Sequence, residues 1–403
     1  MRVPLAVVGL GRTEIQAAIE VFESGNLTMG EQVRTFESLM ASFLGADHFI
    51  MVNSGSSANL LIFEYLLRPS SGKPLLKIGD GVLVPAIAWP TTIWPIIQLG
   101  LIPVFVDVNR DTFDINLESA RNAISLSNVP VKAIFPIHPL GYAINPRELS
   151  SFSKEFSIVL VNDVCESLGS WSEGLHAGME GLAASFSFYF SHHITTMEGG
   201  GIATNSLEIA DDLRSMRSHG WSRDRSDGTL LTKGLSTADS KFRFFTTGYN
   251  VRPTEIQAAI GINQITKIHD YVNRRREIAR KVAKAVKNTP LKIMGGVDFA
   301  NSNTTDRHSW MMIALCVEAG LEVKLRVQEF LEQSGVETRP VLTGNFLHQP
   351  AMKNIEYFIR DVSLRNTDWV AEHCFLIGAH HDFTEDQINH LVNTLTKVAN
   401  LVE

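Results

Sequence analysis

Short apolar runs alternate with helical patterns between residues 48 and 204. Several of the runs are apolar at consecutive positions, which is typical of strands covered on both faces of a sheet. The runs are HFIMVNSG, GVLVPAIAW, IPVFVDVN, VKAIFPIHP, SIVLVNDV, ASFSFYFS and GGIATN. This alternation predicts an α/β domain with a largely parallel sheet.

The pattern becomes helical from about residue 206. SLEIADDLRSMRSHG has Ser206 as its N-cap and is predicted to end at Gly220. The polar segment 221–241 has no clear period and is interpreted as a loop or flap. A long helix is predicted over about residues 254–288, with a break near its middle, ahead of a C-terminal portion of strands and helices.

The densest basic run, NRRREIARKVAKAVK, lies in this long helix. Ile278, Val282 and Val286 recur within it at helical spacing, so the basic residues are interpreted as the solvent-exposed face of an amphipathic helix. The net charge of the chain is -7 and no basic block occurs. We therefore expect no nucleic-acid surface, and an anionic ligand requires a local binding site.

Composition is that of a soluble globular protein. The chain has 403 residues, of which 44% are hydrophobic and 20% charged. Its length predicts about two domains. We expect a large one over residues 1–265 and a small one over 266–403, with the N-terminal segment packing on the small domain. No run reaches the roughly 20 apolar residues of a membrane span, and VPLAVVGLG is too short for a secretory signal. We expect a cytoplasmic protein without a membrane partner.

Cysteine usage excludes several cofactor classes. Cys165, Cys316 and Cys374 are scattered and form no CxxC motif. A disulfide framework, a structural zinc site and a cysteine-ligated iron–sulfur cluster all need more thiols or closer ones. No metal is expected at the histidine pairs His192-His193 or His380-His381 either, because neighbours on an extended segment point to opposite faces.

Small residues follow the first apolar run and precede an apolar helix, in NSGSSANLLIFEYLL. Free backbone N–H groups at a helix N-terminus suit a phosphate, and Gly55, Ser56 and Ser57 are the candidates. A plain capping turn is the alternative interpretation.

Acidic residues follow another buried strand, in IVLVNDVCES. Asp163 ends the strand and Glu166 comes shortly after. A buried carboxylate favours a cationic partner, and a protonated pyridine nitrogen is such a partner; a loop-capping role is the alternative. Trp89, in PAIAWPTT, is a candidate to stack on a flat ring or, alternatively, a core residue.

Together these motifs resemble the fold type I pyridoxal-phosphate (PLP) enzymes of the DegT/StrS type, which act on sugar nucleotides. The resemblance runs from GEQVRTFE through NSGSSANL, VNDVCES, FSFYFSHHITTMEGGGIATN and GYNVRPTEIQAAIGINQ to TRPVLTGNFL. It implies a large domain with a mostly parallel seven-stranded sheet and a smaller C-terminal α+β domain. It also implies a homodimer whose active site is shared across the interface.

The same resemblance implies the site residues. It implies that Gly55, Ser56 and Ser187 hold the phosphate, that Asp163 contacts the pyridine nitrogen, that Trp89 covers one ring face and that Glu166 lies near the cofactor substituents; Ser57 stays a phosphate candidate from the helix start. Asn250 in GYNVRP is similar to a residue that reaches a phosphate across the dimer interface, and His219, Arg252 and Arg339 are candidate substrate contacts.

One position departs from the family pattern. Most members have a lysine that binds the cofactor aldehyde covalently, and here that position is His192. No lysine occurs between Lys154 and Lys233, so no small register shift restores an amine. An imidazole cannot make this covalent bond, but it is suited to acid–base catalysis.

The histidine, with RSHGWSRD, TGYNVRP and RPVLTGNFL, is similar to the sugar-nucleotide 3-dehydratases of this family. The resemblance implies a GDP-linked 4-keto-6-deoxy sugar as substrate and PMP (pyridoxamine phosphate) as the working cofactor form. It also implies that His192 moves a proton at the cofactor C4′ carbon, that the C3 hydroxyl leaves, and that L-glutamate renews the amine while ammonia is released. An aminotransferase with an unusual base and a non-catalytic homologue remain alternatives.

Two residues that follow His192 in the sequence, His193 and Glu198, are given roles outside the chemistry. His193 is expected to face away from the cofactor and to have a structural role. Glu198, ahead of the glycines, is expected to orient the loop.

Overall fold

The computed structural model describes residues 1–70, 72–299, 306–357 and 364–401. The strands of these ranges are β1 (His48–Val52), β2 (Gly81–Pro85), β3 (Ile102–Val106), β4 (Val131–Ile134), β5 (Val159–Asp163), β6 (Trp171–Ser172), β7 (Leu175–His176), β8 (Ala183–Ser187), β9 (Gly200–Thr204), β10 (Leu291–Ile293), β11 (Met312–Val317), β12 (Thr338–Arg339) and β13 (Cys374–Gly378).

The α-helices are α1 (Arg12–Ser24), α2 (Glu31–Leu44), α3 (Gly55–Leu67), α4 (Pro90–Gln98), α5 (Leu117–Leu126), α6 (Pro146–Phe156), α7 (Leu207–Met216), α8 (Gly228–Leu231), α9 (Thr237–Ser240), α10 (Glu255–Ile265), α11 (Ile268–Val286), α12 (Leu321–Gln333), α13 (Arg365–His373) and α14 (Glu385–Lys397). Short 3-10 turns cover Pro139–Gly141, Phe346–His348, Pro350–Asn354 and Val398–Leu401. No helix in the described ranges is long and apolar enough to cross a membrane.

Seven strands form the larger sheet, in the order β1-β9-β8-β5-β4-β2-β3. β9 pairs antiparallel with both β1 and β8, and the other neighbouring pairs are parallel. Each of these strands overlaps one of the apolar runs of the sequence. The predicted seven-stranded, mostly parallel sheet is therefore confirmed, and the parallel strands bring their carboxyl ends to one edge.

A second, antiparallel sheet has the order β10-β11-β13-β12. Its core includes side chains of α11 and α14 and also Val3, which forms a bridge with Val336. The N-terminal segment thus packs against this C-terminal sheet. Cys316 and Cys374 are buried register partners on β11 and β13.

Helix ends differ from the sequence pattern at one place. The predicted break in the long helix is confirmed, because α10 ends at Ile265 and α11 begins at Ile268. α7, in contrast, ends at Met216 rather than at Gly220. The carbonyl of Met216 accepts from Tyr249 N–H at 2.7 Å, so pairing with a distant segment takes the place of another helical turn. Segment 221–241 is irregular apart from the short helices α8 and α9.

The basic run of α11 is not wholly a solvent-exposed face. Ile278, Val282 and Val286 are buried, as their spacing predicts. Arg275 is buried as well, with 0% of its surface exposed. The prediction was wrong for this residue because periodicity alone assigns every arginine to the polar face.

Candidate active site

A cavity of about 570 Å³ opens beside the carboxyl ends of β5 and β8. Most of the residues singled out from the sequence line it, namely Gly55, Ser56, Trp89, Asp163, Glu166, Ser187, His192, Glu198 and Arg339. Another cavity of about 610 Å³, bordered by residues of α2 and α7, contains none of them. Residues from separate runs of the sequence therefore converge on one site.

The N-terminus of α3 forms one wall of this cavity. Ser54 is its N-cap, and the Ser54 Oγ accepts from Ser57 N–H at 3.1 Å. The capping interpretation thus accounts for Ser57, which does not line the cavity, whereas Gly55 and Ser56 do. The backbone at these two residues is placed to bind an anion at the positive end of the helix.

Two glycines allow the close packing around this helix start. A Cβ on Gly55 would lie 2.7 Å from Ser187 Cβ and 3.0 Å from Cys165 Sγ. A Cβ on Gly200, in β9, would lie 2.4 Å from the backbone nitrogen of Gly55. These contacts are closer than side-chain carbons tolerate, so any larger residue would push the α3 N-terminus away from Ser187.

The Asp163 carboxylate is fixed at the end of β5 by neutral donors. Its Oδ2 accepts from Asn59 Nδ2 at 3.0 Å and from Thr92 Oγ1 at 2.8 Å, and its Oδ1 accepts from Cys165 N–H at 3.1 Å. Within the described ranges no lysine, arginine or histidine forms an ion pair with it. A buried carboxylate that faces the cavity without a cation suits a positively charged ring nitrogen.

Glu166 lies beside Asp163 and is also buried. Its Oε2 accepts from Leu140 N–H at 2.8 Å. Burial raises the pKa of Glu166 to about 7, and the Leu140 hydrogen bond and the charge of Arg339 act against this rise. The carboxyl group is therefore suited to exchange a proton near neutral pH.

Arg339 faces the cavity from β12. Burial lowers the pKa of its guanidinium, while the negative charge of Glu166 opposes this effect. Its Nε is buried and has no hydrogen-bond partner in the described part of the chain. A buried donor without a partner beside an open cavity indicates room for an anionic ligand group.

His192 follows β8 in a tight turn and lines the cavity. Its N–H donates to the carbonyl of Tyr189 at 3.0 Å, and its own carbonyl accepts from Arg275 Nη2 at 3.0 Å. His192 is only partly exposed to solvent. Its burial, together with the positive charges of Arg275 and Arg339, lowers the pKa of the ring to about 3. The imidazole is therefore neutral at physiological pH and carries a lone pair that can accept a proton.

His193 faces away from the cavity, as expected. It is buried, and its Nε2 lies 3.3 Å from the carbonyl of Ser309. For His380 and His381 we expected no shared metal because neighbouring side chains point to opposite faces, and that geometric reason was wrong: the two rings stack with centroids 4.2 Å apart. These rings and Asp382 bring potential ligand atoms within 4.8 Å of one another. However, lone pairs that lie in stacked ring planes do not converge on one ion.

Besides Ser57, three predicted residues lie outside this cavity. His219 and Asn250 are exposed, Arg252 is partly exposed, and Arg252 Nε donates to Asn250 Oδ1 at 3.1 Å. Asn250 was predicted to act across a dimer interface, and that role stays a prediction. Trp89 does line the cavity and is 48% exposed, so it is a wall residue and not a core residue.

Several residues of the site were missed by sequence reasoning. Asn59 and Thr92 hold Asp163 but belong to helices, where their letters carry no signal of that role. Leu5 and Glu337 line the cavity, and the Glu337 carboxylate accepts from Leu5 N–H at 3.0 Å. The apolar N-terminal segment gave the one available clue, since a run of apolar residues favours packing against another part of the protein.

The comparisons with known proteins agree with this geometry. The family described as DegT/DnrJ/EryC1/StrS aminotransferase family matches residues 9–396. GDP-4-keto-6-deoxy-D-mannose 3-dehydratase of Yersinia pseudotuberculosis is 34% identical over 401 residues, or 98% of both chains. A mutant GDP-4-keto-6-deoxymannose-3-dehydratase with bound GDP-perosamine has a TM-score of 0.88 and 33% identity, covering 98% of this chain and 100% of the other. The same enzyme with a trapped PLP-glutamate geminal diamine has a TM-score of 0.87 and 33% identity, with the same coverage.

Proposed function

The chain belongs to the DegT/DnrJ/EryC1/StrS aminotransferase family, and from this premise we propose that it is a sugar-nucleotide 3-dehydratase. Its cofactor is pyridoxal 5′-phosphate, which is used in the pyridoxamine form. The substrate is a GDP-linked 4-keto-6-deoxy sugar and the product is the 4-keto-3,6-dideoxy sugar. L-Glutamate renews the cofactor amine, and ammonia is released.

The observation that carries the proposal is the position of His192. It lies in the turn that follows β8 and lines the cavity together with Asp163, Gly55 and Ser187, at the position where the family resemblance implies a lysine. None of the described residues around the cavity is a lysine. A site that keeps its anion and ring-nitrogen contacts but lacks the amine favours proton transfer over covalent capture.

The residues present fit the cofactor. Gly55, Ser56 and Ser187 would hold its phosphate, Asp163 its pyridine nitrogen and Trp89 a ring face. When bound, pyridoxamine phosphate supplies an amine for the keto group of the sugar and a conjugated ring that accepts electrons. Asn59 and Thr92 keep the Asp163 oxygens directed at the ring site, which favours the protonated, electron-accepting pyridine.

His192 would move the proton that dehydration requires. The neutral ring accepts a proton on a ring nitrogen, and the lowered pKa makes it ready to return that proton to a departing hydroxyl. Glu166, with a pKa of about 7, stands next to the ring site as a second group able to exchange a proton. Arg339 supplies a positive charge for a carboxylate or phosphate of either substrate.

The relatives support the choice of substrates. The Yersinia relative is a 3-dehydratase of a GDP-linked keto sugar, and the similar structures hold GDP-perosamine and a PLP-glutamate adduct. We extend this to a homodimer in which Asn250 and Arg252, which lie outside the cavity of their own chain, face the cavity of the second copy.

The test is to incubate the protein with pyridoxamine phosphate, GDP-4-keto-6-deoxy-D-mannose and L-glutamate, and to identify the products by mass spectrometry. We expect a sugar nucleotide that has lost one oxygen atom, with ammonia and 2-oxoglutarate formed in equal amounts. His192→Asn should keep the cofactor and lower product formation about 10²–10⁴-fold.

Each alternative gives a different result. An amino sugar that retains its C3 hydroxyl would show an aminotransferase and overturn the dehydratase proposal. A protein that does not bind pyridoxamine phosphate at all would indicate a non-catalytic homologue.

The proposed homodimer has its own test. Light scattering of the same preparation should give twice the chain mass of 44.6 kDa.

A further inference from the structure

Arg275 is a fully buried arginine that is not within ion-pair distance of any carboxylate among the described residues. It lies on α11, and 0% of its surface is exposed. In the described part of the chain it takes part in no ion pair, and its Nε has no hydrogen-bond partner. Burying such a charge is costly, so its position calls for a specific reason.

The guanidinium is instead held by main-chain carbonyl groups. Nη2 donates to His192 O at 3.0 Å, and Nη1 donates to Met311 O at 2.9 Å and to Trp310 O at 3.2 Å. Ala379 O lies at the limit of hydrogen-bond distance from Nη1, at 3.5 Å. One side chain thus joins the turn after β8, the segment that enters β11 and the segment that follows β13.

Two of these segments form walls of the cavity. His192 lines the cavity from the turn after β8, and Met311 and Met312 line it from the start of β11. The hydrogen bonds of Arg275 therefore connect the main chain of the turn after β8 to the main chain at the start of β11, in the antiparallel C-terminal sheet. This link is direct, because the acceptor is the carbonyl of His192 itself.

We propose that Arg275 is a positioning residue for His192. It holds the main chain of His192 next to that of Met311, so that the imidazole faces the cofactor site. The inference rests on the proposed function for the chemistry that it serves. It goes beyond that function by assigning a role to a residue outside the cavity. Arg275 acts through His192 and touches neither substrate nor cofactor.

The charges around the two residues support a second consequence. Arg275 is faced by His192, His193, His380, His381 and Asp382. The His192 ring is faced by Arg275 and Arg339, by His193 and by the ring of Tyr189, and Asp163, Glu166 and Glu198 line the same cavity. Removing the positive charge of Arg275 should raise the pKa of His192, because burial and Arg339 alone would then oppose protonation.

The first measurement needs no substrate. Histidine-labelled protein without cofactor is titrated by NMR, and His192 is identified by its absence from the spectrum of His192→Asn. Arg275→Met should raise the His192 pKa, whereas Arg275→Lys, which keeps the charge, should leave it low. The matched control is Arg276→Met, because Arg276 donates to His308 O and Asp306 O and does not contact His192.

The second measurement is turnover with the keto sugar. Arg275→Met should lower kcat about 10²-fold, the cost typical of a misplaced catalytic group, with little change in KM or in pyridoxamine phosphate affinity. Arg275→Lys should be intermediate, because an ammonium reaches fewer of the carbonyls. Arg276→Met should retain wild-type kcat.

Unchanged kcat and unchanged His192 titration in Arg275→Met would overturn the inference, as would an equal loss in Arg276→Met. If Arg275→Met fails to fold, Arg275→Lys decides the matter, and wild-type kcat in that variant overturns it. If the wild-type protein dehydrates no sugar, the proposed function fails. The NMR titration then still tests the link between Arg275 and His192.

Discussion

His192 is both a hydrogen-bond donor and an acceptor along its main chain, while its ring has one long contact, from Nδ1 to Ser191 Oγ at 3.5 Å. Its N–H and carbonyl are taken by Tyr189 and Arg275, which fixes the backbone on both sides of the residue. A ring held this way can exchange protons with a ligand but cannot bind an aldehyde covalently. The outcome of the reaction would then depend on one side chain.

Replacing His192 by lysine tests that dependence. In His192→Lys we expect the new amine to bond to the cofactor aldehyde, so that borohydride reduction leaves the cofactor attached to the chain in a mass spectrum. Dehydration should fall at least about 10²-fold, because a lysine held in that bond is not available as the base. His192→Asn is the control and should show no attachment. Efficient dehydration by His192→Lys would mean that histidine does not decide the reaction.

Single residues were predictable where they end a strand. Asp163 ends one apolar run and Gly55 closes another, so the sequence itself indicates that these two meet at one sheet edge. Ser187, in contrast, was predicted only from the family resemblance. Arg275 was not predictable, because the carbonyl of His192 lies 83 positions earlier in the chain. Nothing in a helical period distinguishes a buried arginine from an exposed one.

At the scale of elements, the site depends on how closely β9 approaches the start of α3. β9 is the one antiparallel strand of the seven-stranded sheet, and it runs between β1 and β8. Gly200 lies at the first position of this strand, directly against Ser54 and Gly55. The strand therefore supports the anion-binding backbone from behind.

Gly200→Ala should weaken cofactor binding. The added Cβ would lie 2.4 Å from Gly55 N, so the α3 N-terminus must move, at a cost to stability of about 1–3 kcal/mol. We expect the Kd for pyridoxamine phosphate, measured by fluorescence, to rise at least about tenfold. Gly45→Ala is the control: Gly45 has φ 68° and open space around it, so it should lose stability but not affinity. Equal Kd values in both variants would contradict this account.

Elements were predicted better than their ends. All seven strands of the large sheet and the break between α10 and α11 follow from periodicity. The end of α7 does not, because the Met216 carbonyl pairs with Tyr249, and such a contact is not visible in a local pattern. Long-range hydrogen bonds compete with local propensity in that position.

On the scale of the whole molecule, buried histidines should govern acid stability. Burial lowers the pKa of seven histidines from the ordinary value of 6.5, namely His138 (to about 4), His176, His192 and His308 (each to about 3), His380 (to about 2), and His193 and His381. Four carboxyl groups act in the opposite sense, because burial raises the pKa values of Asp114, Glu166, Glu180 and Asp382.

The cofactor-free protein should lose stability as the pH falls below about 6.5. Histidines of the unfolded chain then bind protons, whereas the same histidines stay neutral in the folded protein. Each such group lowers the free energy of unfolding by up to about 1.4 kcal/mol per pH unit. The raised carboxyl groups offset part of this loss between about pH 7 and 4.5, but seven groups outweigh four. The free energy of unfolding is measured by urea unfolding at pH 7.5, 6 and 5, together with the number of protons taken up on unfolding. Constant stability over that range would contradict the burial of these rings.

The cavity wall brings together residues that are far apart in the sequence. Leu5 and Ala6 contribute to the wall, and Leu5 N–H bonds to Glu337, which is 332 positions later. During synthesis on the ribosome, the Leu5 wall therefore cannot make this contact before Glu337 has emerged. A nascent fragment that ends before Glu337 would contain Gly55, Ser56 and Ser187 but would lack this part of the cavity wall, so we expect it to bind the vitamin B6 cofactor more weakly than the whole chain.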